Sequence, residues 1–253
     1  MSSLGPLVSI VTPAYNAERF IAQTINSVCS QTMKMWEMIV VVDANSRDKT
    51  ESIVRQFSEL DSRIKLVVAG TAGVAENRNK GIAMARANYV CLLDSDDWWH
   101  PQKLERQLAF ARRTGASFSF TGYECRSADG ERKLYSVSVP AKVTYHDLLC
   151  SSPIGCLTVM IDKSRHPGFV FRQEDHEDYA LWLRMLRDGT NGFGLGETLA
   201  FYREVKGSRS NNKSRAALWR WRIYRDQEKN SRFLAAFNFT RYAVASLCRR
   251  FCR

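Results

Sequence analysis

Four short, almost uninterrupted apolar runs recur early in the chain, Val8–Val11, Met38–Val42, Ile64–Val68 and Tyr89–Leu93, and they leave few folds open. A β-branched run without polar alternation suits a strand covered on both faces, and such strands occur in parallel sheets layered between helices. The stretches between the runs have helical periodicity. Ile21, Ile25 and Val28 recur at spacings of four and three and put one apolar stripe on a helix. Further helices are predicted from about Lys49 to Leu60, from Val74 to Ala87, and from Pro101, a favourable first helical residue, to Arg113. This alternation up to about Phe120 predicts an α/β fold with a mostly parallel central sheet flanked by helices.

Beyond that point the pattern loosens. Strands are predicted near Phe118–Tyr123 and Cys156–Ile161, a turn at Asp129 and Gly130, and a helix from about Asp178 to Arg187. No linker, repeat or low-complexity segment divides the chain, so residues 1–212 read as one domain. Residues 213–253 read as two basic helices appended to it. The last carries Phe233, Leu234, Phe237, Tyr242, Val244, Leu247 and Phe251 among arginines. That composition fits a helix lying on an anionic membrane surface and equally a helix packed on the domain.

Charge narrows the partners. The 253 residues hold 37 Lys+Arg against 26 Asp+Glu, a formal net charge of +11, which favours phosphate esters, nucleic acid or an acidic lipid surface. The bases crowd from Arg203 onward, away from the ends of the apolar runs, and no nucleic-acid-binding motif accompanies them, so nucleic acid is not an expected partner. Leu7–Val11 is too short, and too poorly flanked, for a secretory signal, and no stretch reaches the roughly 18 apolar residues of a membrane span. Seven cysteines lack Cys-x-x-Cys pairs and read as packing residues. The expected location is the cytoplasm, with peripheral contact at the cytoplasmic face of a membrane through the last helix.

In open α/β sheets ligands bind beyond the carboxyl ends of the strands. Polar residues follow the runs there: Thr12 to Asn16, Asp43 to Ser46, Gly70 to Gly73, and Asp94, Ser95, Asp96, Asp97. The last group is the sharpest. Three carboxylates within four residues repel one another unless solvent or a cation separates them. Mg²⁺ and Mn²⁺ favour carboxylate and phosphate oxygens, so the cluster suits a metal shared with a diphosphate. A solvated turn, with Asp97 capping a following helix, is the other reading.

These motifs, in this order, resemble a family 2 glycosyltransferase, an inverting enzyme of the GT-A fold, and the likeness runs from about Leu7 to Glu204. Val8 to Asn16 resembles the family's first strand and Pro-x-Tyr-Asn; Ser27 to Thr32, Ser-Val-x-x-Gln-Thr; Gly73 to Gly81, Gly-x-x-x-Ala-Arg-Asn-x-Gly. Leu93 to Trp98 carries Asp-x-Asp-Asp, and Glu177 to Arg184 resembles Glu-Asp-x-x-Leu-Trp-Leu-Arg. Tyr202 to Glu228 is most similar to transferases of teichuronic-acid, capsular or lipopolysaccharide type.

The resemblance implies a nucleotide-sugar donor, a UDP-sugar first, and a glycan or lipid-linked glycan acceptor. It implies that Thr12, Pro13 and Tyr15 line the base, that Asp43 bonds the uracil edge, and that Arg78 meets the phosphates. Asp94 and Ser95 then face the ribose or sugar. Asp96, with Asp94, holds Mn²⁺ or Mg²⁺, and Asp178 is the general base with Glu177 as its alternate. Arg203, Ser208, Ser210 and Lys213 would form a loop over the phosphates or the acceptor. Two departures stand out: Ala44 occupies the place of a second acid, and Val205 that of a histidine. They leave open a second reading, an inactive member of the fold that binds glycan or serves as an assembly partner.

Overall fold

The computed structural model describes residues 5–174, 176–205, 213–228 and 231–251. The first half follows the expected alternation: β1 (Val8–Ala14), α1 (Ile21–Cys29), β2 (Trp36–Val42), α2 (Thr50–Leu60), β3 (Ile64–Val68), α3 (Val74–Met84), β4 (Tyr89–Leu92). After a two-residue strand, β5 (Trp98–Trp99), comes α4 (Lys103–Thr114). Strands β1 to β4 pair in parallel in the order β3-β2-β1-β4.

Their side chains alternate between two cores. Val8, Ile10, Met38, Val40, Val42 and Cys91 face one layer with α1, α2 and α4, while Val11, Ile39, Val41, Val90 and Leu92 face the other with α3. With apolar residues needed on both faces, the strands read as unbroken apolar runs rather than alternating ones. Gly81 lets α3 press onto β1, since a Cβ there would stand 2.4 Å from Val11 Cγ1.

The second half turns mixed. It contributes β6 (Phe118–Arg126), β7 (Lys133–Val137), β8 (Lys142–Val143), α5 (Tyr145–Cys150), β9 (Met160–Asp162), α6 (Glu177–Arg187) and β10 (Gly192–Arg203). Strand β9 enters antiparallel between β4 and β6, and β10 then runs parallel to β6, completing a ten-stranded sheet among the described residues. Two expectations are corrected here. The strand predicted over Cys156–Ile161 is a 3₁₀ turn, Cys156–Thr158, followed by a short β9. The alternative in which Asp97 caps a following helix does not hold either: Asp97 leads into β5, whose Trp98 and Trp99 pair with Phe201 and Ala200 of β10, and the helix expected from Pro101 begins at Lys103.

At the end lie α7 (Lys213–Arg222), a π-helical turn (Ile223–Gln227) and α8 (Arg232–Phe251). Ile223, Tyr224 and Ala235 join the core on the α5 and α6 side, and the Tyr224 hydroxyl donates to the Leu149 carbonyl. Helix α8 is therefore packed along one flank, yet Phe233 is 90% and Phe237 59% exposed on another. Among the described residues no helix is long and apolar enough to cross a membrane.

One buried carboxylate ties the amino ends of the parallel strands together. Glu37 accepts from Ser9 Oγ (2.7 Å), the Arg86 N–H (2.7 Å), Arg86 Nε (2.8 Å) and Lys65 Nζ (2.7 Å). Burial would raise its pKa, but the bonds from Lys65, Arg86 and Ser9 outweigh that and bring it down to about 2. Because the folded value lies below the unfolded one, this stability is present at neutral pH and is lost as the pH falls through about 2. Glu37→Gln is expected to lower unfolding free energy by roughly 2–3 kcal/mol at pH 7. In urea melts at descending pH it should also remove part of the acid-linked loss; an unchanged midpoint at pH 7 would refute the role.

Candidate active site

A cleft of about 940 Å³ opens beyond the carboxyl ends of β1, β2 and β4, at the point where the strand order reverses between β1 and β4. Most of the residues expected from the sequence meet there: Pro13 at the end of β1 and Tyr15 just after it, Asp43 after β2, Arg78 on α3, Asp94, Ser95 and Asp96 after β4, and Glu177 and Asp178 at the start of α6. Ser208 and Ser210 lie outside the described residues. Lys213 opens α7, and its side chain lies outside the described residues too.

Two expectations are corrected by burial and bonding. Thr12 is wholly inside the sheet and is not among the residues lining the cleft, whereas Pro13 and Tyr15 are. Arg203 is also buried, at 2% exposure. Its backbone N–H donates to Asp97 Oδ1 (2.8 Å), Nε to the Asp96 carbonyl (2.8 Å), one terminal nitrogen to the Ala128 carbonyl (2.8 Å) and the other to Gln23. Phe20 and Trp98 sandwich the guanidinium, each centroid 4.5 Å away. So engaged, Arg203 is the brace under the acidic loop and not part of a loop over the phosphates.

That brace shows how a crowded acidic loop is held. The Thr24 hydroxyl lies 2.9 Å from the Ser95 carbonyl and 2.8 Å from that of Asp97, and Asp97 N–H closes a turn onto the Asp94 carbonyl at 3.2 Å. Gln31, within the Ser-Val-x-x-Gln-Thr segment, joins the end of α1 to the start of α4, donating to the His100 carbonyl (2.9 Å) and accepting from Leu104 N–H (3.0 Å). Asp97 is buried under the loop. Burial, with the charges of Asp96 and Asp94, drives its carboxyl well above the usual range, and its Oδ2 has no hydrogen-bond partner among the described residues. Asp96 stands at the cleft wall, where burial and Asp94 push it up to about 6.

Whether the residues fit a divalent ion follows from that donor set. Among the described residues no group of three or more His, Cys, Asp and Glu side chains stands ready to hold a metal, so there is no all-protein cage. Burial first and the Asp94 charge second raise Asp96, and a cation beside the two carboxylates would lower that cost. Mg²⁺-like ions are commonly held by one or two carboxylates with the rest of the shell from phosphate and water. Asp96 and Asp94 fit that mode.

Arg78 links the two acidic groups across the cleft. It is 4% exposed and bonds Asp94 Oδ1 at 2.6 Å and Glu177 Oε1 at 2.9 Å. Next to Glu177, Asp178 has no ion-pair partner among the described residues, and its Oδ1 accepts only the Tyr179 N–H, at 2.7 Å. Burial and the Glu177 charge raise the Asp178 carboxyl above the usual carboxylate range, against the opposing pull of Arg78. His176, just before them, is left-handed (φ 50°), an uncommon state for a non-glycine residue that turns the chain into α6. Asp43 accepts from Asn45 N–H (2.9 Å), Gly73 N–H (2.8 Å) and Asn77 Nδ2 (2.7 Å), which fixes the start of α3.

Other walls were not foreseen: Tyr123 and Tyr135 of the β6–β7 pair, the Ile154–Leu157 turn, and Trp219, Arg220 and Tyr242 from the C-terminal helices. None carries a local motif; distant segments bring them to the cleft.

A parallel β3-β2-β1-β4 sheet continued by a mixed half, with an acidic loop after β4 and a second acidic pair facing the same cleft, defines a transferase of the GT-A fold. The sequence model for glycosyl transferase family 2 matches residues 9–158. Over 256 residues the chain is 40% identical to a Bacillus subtilis protein named as a teichuronic acid biosynthesis glycosyltransferase, TuaG, covering 99% of this chain and 100% of that one. It is 37% identical over 226 residues to the Escherichia coli UDP-Glc:alpha-D-GlcNAc-diphosphoundecaprenol beta-1,3-glucosyltransferase WfgD, covering 88% and 87%. In shape it is similar to the mannosyltransferase PcManGT from Pyrobaculum calidifontis in complex with GDP-Man and Mn²⁺, with TM-score 0.68 and 14% identity over 99% of this chain and 77% of that one. The chain belongs to glycosyltransferase family 2.

Proposed function

We propose that the chain is an inverting transferase that moves a sugar from a UDP-sugar to a glycan carried on a lipid diphosphate, in the synthesis of a cell-surface polysaccharide. The observation that carries this reading is the opposition of the Asp94–Asp96 loop and Asp178 across one cleft, with Arg78 between them. Names of similar proteins support the substrates: the E. coli relative uses UDP-Glc and a diphosphoundecaprenol-linked acceptor, and the B. subtilis relative is assigned to teichuronic acid.

In the reaction Asp178 takes the proton of the acceptor hydroxyl as its oxygen bonds to the anomeric carbon. The bond from that carbon to the diphosphate breaks on the opposite face, and the leaving UDP carries away the electron pair. Glu177 is held by Arg78 and is less free for this task, which favours Asp178 as the base. A bound Mn²⁺ or Mg²⁺ supplies positive charge to the leaving diphosphate, with Asp96 and Asp94 holding it. Tyr15, 59% exposed, offers a ring to the nucleotide base. Asp43 keeps acceptor capacity for a uracil N–H beyond its three protein donors, which answers the missing acid at Ala44.

Calorimetric titration with UDP, GDP and dTDP, each with and without Mn²⁺, tests the donor. Manganese-dependent binding of UDP alone is expected; no binding of any of the three would sink the reading and favour an inactive member of the fold. NMR of the first-formed product tests the stereochemistry, and a retained anomeric configuration would exclude direct displacement.

The same reading places the protein at the cytoplasmic face of a membrane. Phe233, Leu234 and Phe237 are exposed on α8 beside Arg232 and Arg241, an apolar strip flanked by cations. Flotation with vesicles rich in anionic lipid is expected to carry the protein, and Phe233→Ser with Phe237→Ser to release it. Equal flotation of both forms would contradict the placement.

A further inference from the structure

The cleft has a cationic wall that donor binding and base catalysis do not use. Arg220, on α7, lines the cleft at 7% exposure, with its guanidinium clamped between the rings of Tyr179 and Tyr242, each centroid 4.0 Å away. Among the described residues its one hydrogen bond is a long one, 3.5 Å, to the Tyr224 hydroxyl, whose own proton is given to the Leu149 carbonyl. No carboxylate among the described residues forms an ion pair with it. A buried guanidinium without a carboxylate is costly unless an anion comes to it, and a planar guanidinium held on aromatic faces is well shaped for a phosphoryl group.

Position tells which molecule brings that anion. Tyr179 directly follows Asp178, and Trp219, next to Arg220, packs edge-on against His176 at 4.8 Å. The cation therefore stands over the start of α6, beside the candidate base, whereas the base-binding residues Tyr15 and Asp43 follow β1 and β2. A hydroxyl attacking beside Asp178 belongs to the acceptor, so an anion held beside the start of α6, apart from Tyr15 and Asp43, belongs to the acceptor as well.

We infer that Arg220, held by Tyr179 and Tyr242, is the acceptor subsite for the phosphoryl group that links the acceptor sugar to its lipid. The inference rests on the reading of Asp178 as the base and makes the C-terminal helices part of the acceptor site. It accounts for why the C-terminal helices set a cation against Tyr179 of α6 and turn it into the cleft.

The test uses the full chain preloaded with UDP and Mn²⁺, so that the donor site is filled, and titrates hexyl diphosphate by calorimetry. Binding to the UDP-loaded protein is expected, weakened at least about tenfold by Arg220→Gln and only partly restored in Arg220→Lys, which keeps the charge but not the planar fork, with UDP affinity unchanged in all forms. Because Arg220 is buried and its removal could unfold α7, a second variant, Tyr242→Glu, leaves the cation in place and neutralises it; it too should lose hexyl diphosphate. Failure of UDP itself to bind the unmodified chain overturns the donor reading. Failure of hexyl diphosphate on UDP-loaded protein, equal binding by a folded Arg220→Gln variant, or a loss confined to UDP overturns the subsite.

Discussion

Asp178→Asn is expected to lower kcat by about 10³-fold while leaving the affinity for UDP within about twofold, through removal of the proposed general base. The substitution keeps the shape of the side chain and the bond from the Tyr179 N–H, so the start of α6 stays in place. What it removes is a proton acceptor that burial and Glu177 make more basic than an ordinary carboxylate. A base must be deprotonated to act. Since its pKa is raised, the activity of the unmodified protein should fall on the acid side at a pH above the usual carboxylate range, and that limb should vanish from the residual activity of Asp178→Asn. Transfer rates against pH, with UDP affinity measured in parallel, decide the matter. Full activity in Asp178→Asn would move the role to Glu177, at the cost of its bond to Arg78.

Asp96→Ala has its effect at the other wall. Manganese-dependent binding of UDP should weaken by about 100-fold, roughly 2.7 kcal/mol, through loss of the carboxylate that shares the ion with the diphosphate. Metal-free binding, which depends on Tyr15, Pro13 and Asp43, should change little. The fold should tolerate the change because the loop is held by other atoms: Arg203 bonds the Asp96 carbonyl rather than its carboxylate, and Thr24 holds Ser95 and Asp97. Calorimetry with and without Mn²⁺ separates the two terms. Equal losses in both conditions would mean that Asp96 supports the loop instead of the ion.

The two walls differ in how far they could be read in advance. Asp94, Ser95 and Asp96 are neighbours at the end of an apolar strand, so one stretch of sequence holds both their identity and their place. Asp178 and Glu177 were legible as a pair, but nothing local distinguishes their roles. Arg78, from a helix 99 residues earlier, binds Glu177, whereas Asp178 has no ion-pair partner among the described residues, which is what favours Asp178 in the proposed mechanism. Arg203 misled for a related reason: its position in the chain suggested a phosphate loop, whereas its guanidinium is spent on carbonyls and aromatic faces that only the folded chain gathers.

The sequence by itself determined the parallel half of the sheet, because strands buried on both faces must be apolar at every position and the helices between them at every third or fourth. It also determined the acidic loop, since charge that dense has few uses at a strand end. The tertiary structure alone decided the mixed second half, where β9 enters antiparallel and short strands such as β5, β7 and β8 have no pattern long enough to announce themselves. It alone decided that Trp219, Arg220 and Tyr242, from the far end of the chain, stand at the cleft. Hydrophobic periodicity reports which face of an element is buried and not against what, so residues that become neighbours only when distant elements dock leave no trace in the order of the chain.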